Sequence, residues 1–334
     1  FLKDGHDGTD YDTEGEIPGF DGDSPEEVLV FVHGWLSDEK AALGRMSLLR
    51  YNLETNGYKH PVVGFTWDTE QTIAEWESGK IVADWNGPKL AQFTVDYAKR
   101  NPDTRIRLLS NSLGATPVFS ALKTLDDSGF EDVVESATIM GGTVPSGSVS
   151  VDGKYGDAIR NVVGDVYNYW TPQDRTLKHL YRLTEGQNCV GGAGAEGETP
   201  ENYHENSVEY VPDHFSFLVP RRGCMDEVVR DFGFDPPESL KDAEVTRSLK
   251  AFDLAEAVGN GEKDREGDGE DEVAFDSQFV YRRGYRHRLT VGRDDDELVV
   301  ARNCGTTNNV DDHSDVSLVG EGNCPLHAPV VMGM

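Results

Sequence analysis

Ser112 stands between an apolar run and a predicted helix. Residues 106–109 are mostly apolar and long enough for a buried strand, and residues 115–125 carry apolar side chains near helical spacing. No loop separates them, so the serine hydroxyl is predicted to project from a tight strand-to-helix turn. The free N–H groups and positive dipole end of the new helix point at the same position. A serine in this setting is typical of a nucleophile.

The residues flanking Ser112 have the small side chains that such a turn needs. Ser110 and Gly114 lie two residues before and after it, which lets the strand and the helix approach closely. The usual pattern is G-x-S-x-G, whereas this chain has S-x-S-x-G. The change adds a second hydroxyl that could be mistaken for the nucleophile. An ordinary turn with two hydrogen-bonded serines is the simpler interpretation of this motif alone.

A second motif lies upstream, where a β-rich run over residues 28–32 ends in His33, Gly34 and Trp35. Together, the stretches VFVHGW and SNSLGA resemble the α/β-hydrolase superfamily, in particular its lipase and esterase branch. The resemblance covers roughly residues 26–232. Two motifs in the right order favour this interpretation more strongly than either motif alone.

The resemblance implies roles for both turns. Ser112 would be the nucleophile, and the backbone N–H groups of Trp35 and Leu113 would form the oxyanion hole. His33 would support its turn rather than transfer protons. Ser110, Gly34 and Gly114 would belong to the supporting turns.

A serine hydroxyl needs a base to take its proton, and the base needs an orienting carboxylate. The resemblance implies the chain order serine, acid, histidine. Asp174 follows the strand-like run 165–170, in the loop where the acid belongs. The alternative for Asp174 is a cap on the next helix, predicted over residues 175–182. Asp165 is predicted to lie before the strand, at its wrong end.

His214 is the predicted base. It lies in residues 208–218, which are expected to form a short strand, a Pro-Asp turn and the start of a helical segment. His204 is the competitor, in a polar loop expected to precede that strand. His179 falls inside a predicted helix, where a packed or surface role is expected.

Alternating strands and helices predict an α/β fold with a mostly parallel sheet covered by helices on both faces. Ligands bind such sheets beyond the carboxyl ends of the strands, where both turns are expected to lie. Ser37 is predicted to cap the first helix, which ends near Asn56. The remaining predicted strands are residues 62–67 and 133–140, and residues 70–100 are predicted to be helical with a break at 86–88.

Composition suggests three parts: an acidic N-terminal arm over residues 1–25, a hydrolase-like domain over 26–234 and a C-terminal part over 235–334. The arm could hold calcium, although a solvated arm is favoured. The C-terminal part is predicted to be a β-rich appendage of unknown role, with a helix over residues 239–257 and strands over 273–281, 286–291 and 297–302.

The 334-residue chain has 61 acidic and 31 basic residues, a formal net charge of −30. The acids are spread along the chain among recurring apolar segments, which favours a folded protein adapted to very high salt. Nucleic acid and anionic membranes are unlikely partners for such a surface. No apolar run is long enough for a transmembrane helix.

The chain begins at Phe1, and four cysteines are present. We expect a mature chain after signal removal, extracellular or at the cell surface, with two disulfides. The preferred pairing is Cys189–Cys224 and Cys304–Cys324, and four free buried thiols are the alternative. The cysteine spacing does not resemble a zinc site, so no metal is expected, and a serine hydrolase mechanism needs no cofactor.

The sequence therefore predicts a secreted serine hydrolase acting on small-molecule or lipid esters; its oligomeric state is not predicted. One alternative is the same machinery acting on a thioester, lactone or amide bond. The other is a non-catalytic binding or surface-assembly protein with an α/β-hydrolase-like fold.

Overall fold

A parallel sheet forms the centre of the molecule. The computed structural model describes residues 17–20, 22–69, 75–220 and 222–236, together with the backbone of strands at 275–282, 285–292, 297–301 and 330–333. The six strands before residue 236 are β1 Glu27–Val32, β2 Val62–Phe65, β3 Arg105–Asn111, β4 Val134–Met140, β5 Val163–Trp170 and β6 Tyr203–Ser207. They pair in parallel in the order β2-β1-β3-β4-β5-β6.

Helices cover both faces of this sheet. They are α1 Glu39–Thr55, α2 Trp76–Trp85, α3 Gly87–Arg100, α4 Ala115–Asp127, α5 Gly156–Val162, α6 Arg182–Glu185, α7 Val190–Ala193 and α8 Met225–Asp231. Strand β1 shows why both faces are covered, because every one of its residues is buried. Alternate side chains point to opposite faces: Val28 and Val30 join the core cluster that includes α3 and α4. Leu29 and Phe31 join the cluster that includes α1 and α8.

The predicted fold class is confirmed, with local corrections. Asp38, not Ser37, caps α1, since its carboxylate accepts the Ala41 N–H at 2.7 Å. The last of the six strands lies at residues 203–207, before the segment expected to form it. His204 is therefore inside a strand, and Asp165 is inside β5 rather than before it.

A buried ionic cluster occupies the amino ends of β1 and β3. Glu27 is fully buried and accepts a hydrogen bond from Arg105 Nε at 2.7 Å and two from Arg107 at 3.0 Å. Arg107 Nη1 also donates to Ser136 Oγ at 2.9 Å, and its guanidinium lies 4.8 Å from the Phe232 ring centre. Burial by itself raises the pKa of Glu27, but the hydrogen bonds and charges of the two arginines outweigh it and lower the pKa below its ordinary value.

The described C-terminal part is β-structure. Strands β7 Phe275–Arg282 and β8 Tyr285–Gly292 form an antiparallel hairpin. Strand β9 Glu297–Ala301 pairs in parallel with β2, and β10 Val330–Gly333 pairs antiparallel with β9. The three predicted strands of this part are confirmed, while the predicted helix at 239–257 lies outside the described residues. The division into parts at residues 25 and 234 stays a prediction.

The predicted Cys189–Cys224 disulfide is wrong, because both thiols are free and buried. They lie in separate apolar clusters, Cys189 with Leu177 and Tyr181 and Cys224 with the residues around α8. Burial raises the pKa of Cys189 to about 12 and that of Cys224 well above its ordinary value, so both thiols are expected to be unreactive. Cys304 and Cys324 lie outside the described residues.

Among the helices in the described part of the chain, none combines the length and apolar character needed to cross a membrane. Nor do the described residues contain a cluster of three or more side chains that could hold a metal ion. The N-terminal acidic residues considered for calcium lie before the first described residue.

Candidate active site

Ser112 occupies a sharp turn between β3 and α4. Strand β3 ends at Asn111, a single 3-10 turn spans Ser112–Gly114, and α4 begins at Ala115. Ser112 has φ of 58°, a left-handed conformation that is rare for a residue with a side chain. Such strain persists only where the surroundings impose it, and it is concentrated at functional sites. The predicted strand-to-helix turn is confirmed, and the Ser112 side chain is only partly buried.

The two glycine turns meet backbone to backbone. A Cβ atom added to Gly114 would lie 2.4 Å from the carbonyl oxygen of Val32 and 2.6 Å from that of His33. A Cβ atom added to Gly34 would lie 2.9 Å from Ser112 Cβ and 3.0 Å from the Asn111 carbonyl oxygen. Larger residues would separate the turns, so both glycines are required by contact. The N–H groups of Trp35 and Leu113 belong to these adjoining turns.

His33 makes its contacts within and beside its own turn. Its Nδ1 lies 2.9 Å from the Gly34 carbonyl oxygen, and the Trp67 N–H donates to its Nε2 at 3.4 Å. The Trp67 indole N–H donates to the His33 carbonyl oxygen at 2.9 Å, and the two rings stack. Since a carbonyl can only accept and an N–H can only donate, these partners assign the proton to Nδ1. The buried imidazole is thus a structural group.

Asp174 uses its two carboxylate oxygens for two different contacts. It lies in the turn after β5 and is fully buried. Oδ1 accepts the Leu177 N–H at 2.9 Å, at the start of the helical segment Thr176–Tyr181, and Oδ2 lies 2.6 Å from Nδ1 of His214. One side chain therefore makes both contacts considered from the sequence. It caps the next helix, and it also pairs with the histidine.

His214 joins Asp174 to Ser112. Its Nε2 lies 2.8 Å from Ser112 Oγ. With Nδ1–H donating to the carboxylate, Nε2 is left as the acceptor for the serine proton. His214 lies in a turn rather than at the start of a helix, and this part of the prediction is wrong. The carboxylate of Asp213 holds the turn, accepting the Phe215 N–H at 2.9 Å and the Ser216 hydroxyl at 2.8 Å.

The competing histidine lies elsewhere. His204 is on the edge strand β6, where its Nε2 is 2.7 Å from Asp165 Oδ1 and its ring stacks on Tyr167. This pair resembles the Asp174–His214 pair in chemistry, but its side chains are more than two-fifths exposed. His179 lies within the helical segment after Asp174. Of the three histidines considered from the sequence, His214 is the one whose ring lies within hydrogen-bond distance of Ser112 Oγ.

Ser110, the residue that departs from the usual motif, is fully buried in β3. Its hydroxyl has no hydrogen-bond partner, which contradicts the alternative interpretation of a turn with two hydrogen-bonded serines. It lies within the regular strand, paired with Val32 and Ile139. This hydroxyl is therefore not in a position to act as the nucleophile.

The glycine-rich segment after residue 190 packs tightly against the turn at Gly141 and Gly142. A Cβ atom on Gly191 would lie 2.2 Å from the Gly141 carbonyl carbon. The Gly191 N–H donates to the Gly142 carbonyl at 2.9 Å. Gly141 has φ of 58°, and a Cβ there would lie 3.5 Å from His214 Nδ1. The segment therefore supports the turn beside the histidine.

Arg45 lies beside the turn of Gly34, and sequence reasoning did not predict this position. Its Nη1 lies 3.5 Å from the Cβ position of Gly34, beside the turn that contacts Ser112. The sequence offers no signal for this, because Arg45 is one of several polar residues in a helix without a strong apolar stripe.

Part of the chain is similar to a described protein family. Residues 18–182 match a family described as alpha/beta hydrolase of unknown function (DUF900). An uncharacterized membrane protein of Schizosaccharomyces pombe is 27% identical over 180 residues, which are 52% of this chain and 29% of that protein. The chain thus spans less than a third of the length of this relative.

Solved structures of similar shape include two named hydrolases. Lipase B of Aspergillus fumigatus is 11% identical, with a TM-score of 0.42, over 70% of this chain and 57% of that chain. An esterase of Pyrococcus furiosus is 13% identical, with a TM-score of 0.39, over 62% of this chain and 82% of that chain.

Proposed function

We propose that this chain is a serine hydrolase of the α/β-hydrolase type that cleaves carboxylic esters, which agrees with the family match over residues 18–182 and with the parallel sheet. The observation that carries the proposal is the hydrogen-bonded series from Asp174 through His214 to Ser112. It ends on a serine with a strained backbone at the carboxyl edge of a parallel sheet, where ligands bind in such folds.

In the proposed reaction, Ser112 Oγ attacks the ester carbonyl carbon while its proton passes to His214 Nε2. Asp174 keeps the imidazole in the required tautomer and stabilises the imidazolium that forms. The tetrahedral intermediate collapses, the C–O bond to the alcohol breaks, and His214 returns the proton to the departing oxygen. Water then attacks the acyl-enzyme by the same route, which releases the acid and restores the Ser112 hydroxyl.

The negative oxygen of the intermediate needs hydrogen-bond donors. The proposal assigns this role to the backbone N–H groups of Trp35 and Leu113. Support comes from the contact of the two glycine turns, which brings both segments to the same side of Ser112. Removal of one donor of this kind lowers kcat by about 10²- to 10³-fold. Because the donors are backbone groups, their position depends on Gly34 and Gly114.

The direct test is labelling with a fluorophosphonate probe followed by mass mapping of the modified peptide. We expect labelling of the wild-type protein at Ser112 and none in Ser112→Ala. Ser110→Ala is the matched control, because it removes a hydroxyl two residues away and should leave labelling intact. Since the acidic composition favours function in high salt, the reaction is run in multimolar KCl as well as at low salt.

Substrate assays then separate the proposal from its alternatives. Neutral esters, thioesters, lactones and amides are compared by kcat/KM, and the proposal expects esters to be cleaved fastest. If the folded protein takes up no probe and cleaves none of these substrates, the proposal fails and the non-catalytic binding alternative takes its place.

A further inference from the structure

A cation lies beside the proposed nucleophile. Side chains in a helix lean toward its N-terminus, so Arg45 of α1 reaches back toward the turn that precedes the helix. A Cβ on Gly34 would lie 2.9 Å from Ser112 Cβ and 3.5 Å from Arg45 Nη1. The guanidinium and the serine therefore border the same glycine.

Within the described part of the chain, Arg45 makes no hydrogen bond or salt bridge. The charge of Asp38 acts on it through space, while the Asp38 carboxylate caps α1. By contrast, Arg105 and Arg107 are each bound directly by the Glu27 carboxylate. Arg45 thus differs from the arginines at the other end of the sheet.

A desolvated guanidinium without a carboxylate partner is costly. Burial lowers the pKa of Arg45, and the charge of Asp38 opposes that shift. The chain has 61 acidic residues, yet none of those described forms an ion pair with this guanidinium. The arrangement leaves the donors of Arg45 available on the side that faces the serine turn.

We propose that Arg45 binds an anionic group of the substrate, so that the preferred substrates are esters with a carboxylate or phosphate near the scissile carbonyl. This inference rests on the function proposed above and narrows its substrate class. The planar guanidinium can donate two parallel N–H bonds to either oxyanion. The anion would bind next to the oxyanion-hole turn and orient the ester carbonyl over Ser112.

The test uses two esters that differ in one charge: the 4-nitrophenyl monoester of glutaric acid and its methyl ester. Three variants are compared with the wild type: Arg45→Gln, Arg45→Lys and Lys40→Gln. Lys40 is exposed on the same helix, so its substitution removes the same charge without touching the serine turn. Assays run at the lowest salt at which circular dichroism shows each protein folded, because salt screens exposed charges.

We expect Arg45→Gln to lower kcat/KM for the anionic ester by about 10- to 100-fold, the effect of losing a hydrogen-bonded charge partner. The neutral methyl ester should change by less than about threefold, and Arg45→Lys should restore part of the loss on the anionic ester. Lys40→Gln should leave both esters nearly unchanged. Equal losses on both esters, or no loss on either, would overturn the inference.

Competition identifies the anion. Glutarate and inorganic phosphate are added separately while the fluorophosphonate reaction at Ser112 is followed. Slower labelling by glutarate alone indicates a carboxylate, and slower labelling by phosphate alone indicates a phosphate. Protection by either anion should be absent in Arg45→Gln, and a lack of protection by both in the wild type contradicts the inference.

The same experiment separates two kinds of failure. If Ser112 is labelled but the anionic ester has no advantage that depends on Arg45, the inference fails and the hydrolase proposal stands. If Ser112 is not labelled in folded protein and no ester is cleaved, the hydrolase proposal fails and the inference falls with it.

Discussion

The two ends of strands β1 and β3 bury polar groups in opposite ways. At the amino ends, Glu27 is bound by two arginines, and these three residues all belong to regular strands. At the carboxyl ends, the same two strands lead into turns where Leu36 and Ser112 have φ of 54° and 58°. There the hydrogen bonds run in one line, from buried Asp174 to the partly exposed Ser112 hydroxyl.

The amino ends of the two strands are arranged for stability, and the carboxyl ends are arranged for chemistry. A carboxylate with several donors has no capacity left for a ligand, and its contribution is to the folded state. A single line of hydrogen bonds that ends on an accessible hydroxyl can pass a proton to a substrate. We therefore expect substitutions at one end to change activity and substitutions at the other to change the free energy of unfolding.

The largest expected effect is at Asp174. Asp174→Asn should lower kcat for ester hydrolysis by about 10⁴-fold, because the amide favours the wrong imidazole tautomer. The free energy of unfolding should change little, since an asparagine oxygen can still accept the Leu177 N–H. Initial rates and chemical denaturation measure the two quantities. Asp165→Asn, in the exposed second Asp–His pair, is the control and should leave the rate unchanged; a similar loss there would refute the assignment.

The opposite result is expected at Glu27. Glu27→Gln leaves the buried Arg107 without its carboxylate and should lower the free energy of unfolding by about 3–5 kcal/mol. The kcat of the folded fraction should stay within about twofold of the wild type. Glu26→Gln removes the neighbouring, exposed partner of Arg105 and should cost less than about 1 kcal/mol. If the two variants lose similar amounts of unfolding free energy, the burial of Glu27 does not contribute to stability.

The Glu27 cluster also has a predicted pH dependence. The folded-state pKa of Glu27 is lowered, so its stabilisation is fully present above the ordinary carboxyl pKa of about 4.3. It is lost as pH falls below that value and through the lowered pKa. Acid titration of the unfolding free energy should therefore be flatter in Glu27→Gln than in the wild type over this range.

An intermediate effect is expected where the glycine turns meet. Gly114 has ordinary helical φ and ψ, so alanine is disfavoured there by contact alone. Gly114→Ala should push the serine turn away from the His33 carbonyl and lower kcat/KM by about 100-fold, the cost of misplacing reacting groups by about 1 Å. Gly44→Ala on α1 is the control, since a Cβ there meets nothing within 4 Å. Equal activities of the two variants would contradict the requirement for close contact.

The smallest effect is expected at Ser110. Ser110→Ala removes a buried hydroxyl without a partner, so the free energy of unfolding should rise by no more than about 1 kcal/mol. The rate of ester hydrolysis should stay within about twofold of the wild type. Denaturant unfolding and initial rates test this, and a large loss of activity would mean that this hydroxyl takes part in the site.

Sequence was most informative where the physical requirement is local. A serine in a tight turn between a strand and a helix leaves a short contiguous motif, so the turn at Ser112 could be predicted. Asp174 was predictable as a residue just after an apolar strand. Its double role was not, because the contact with His214 joins segments 40 residues apart.

Features set by distant contacts could not be predicted in the same way. Strand β6 has the sequence YHENS, with only its first residue buried, because it is an edge strand and lacks the apolar pattern of a central one. The two cysteines were paired from their number alone, yet each is buried in a different cluster. Arg45 and Ser112 both border Gly34 although they lie in segments far apart in the chain.

The contact between Gly34 and Ser112 has a consequence for refolding. His214 and Ser112 are 102 residues apart in the chain, and the glycine turns can meet only after β1 and β3 have paired in register. Contacts of such long range form only once the loop-closure entropy has been overcome. During refolding from denaturant, reactivity toward an active-site label should therefore return after the helical circular dichroism signal. The time at which this reactivity returns would report when the central strands reach their native register.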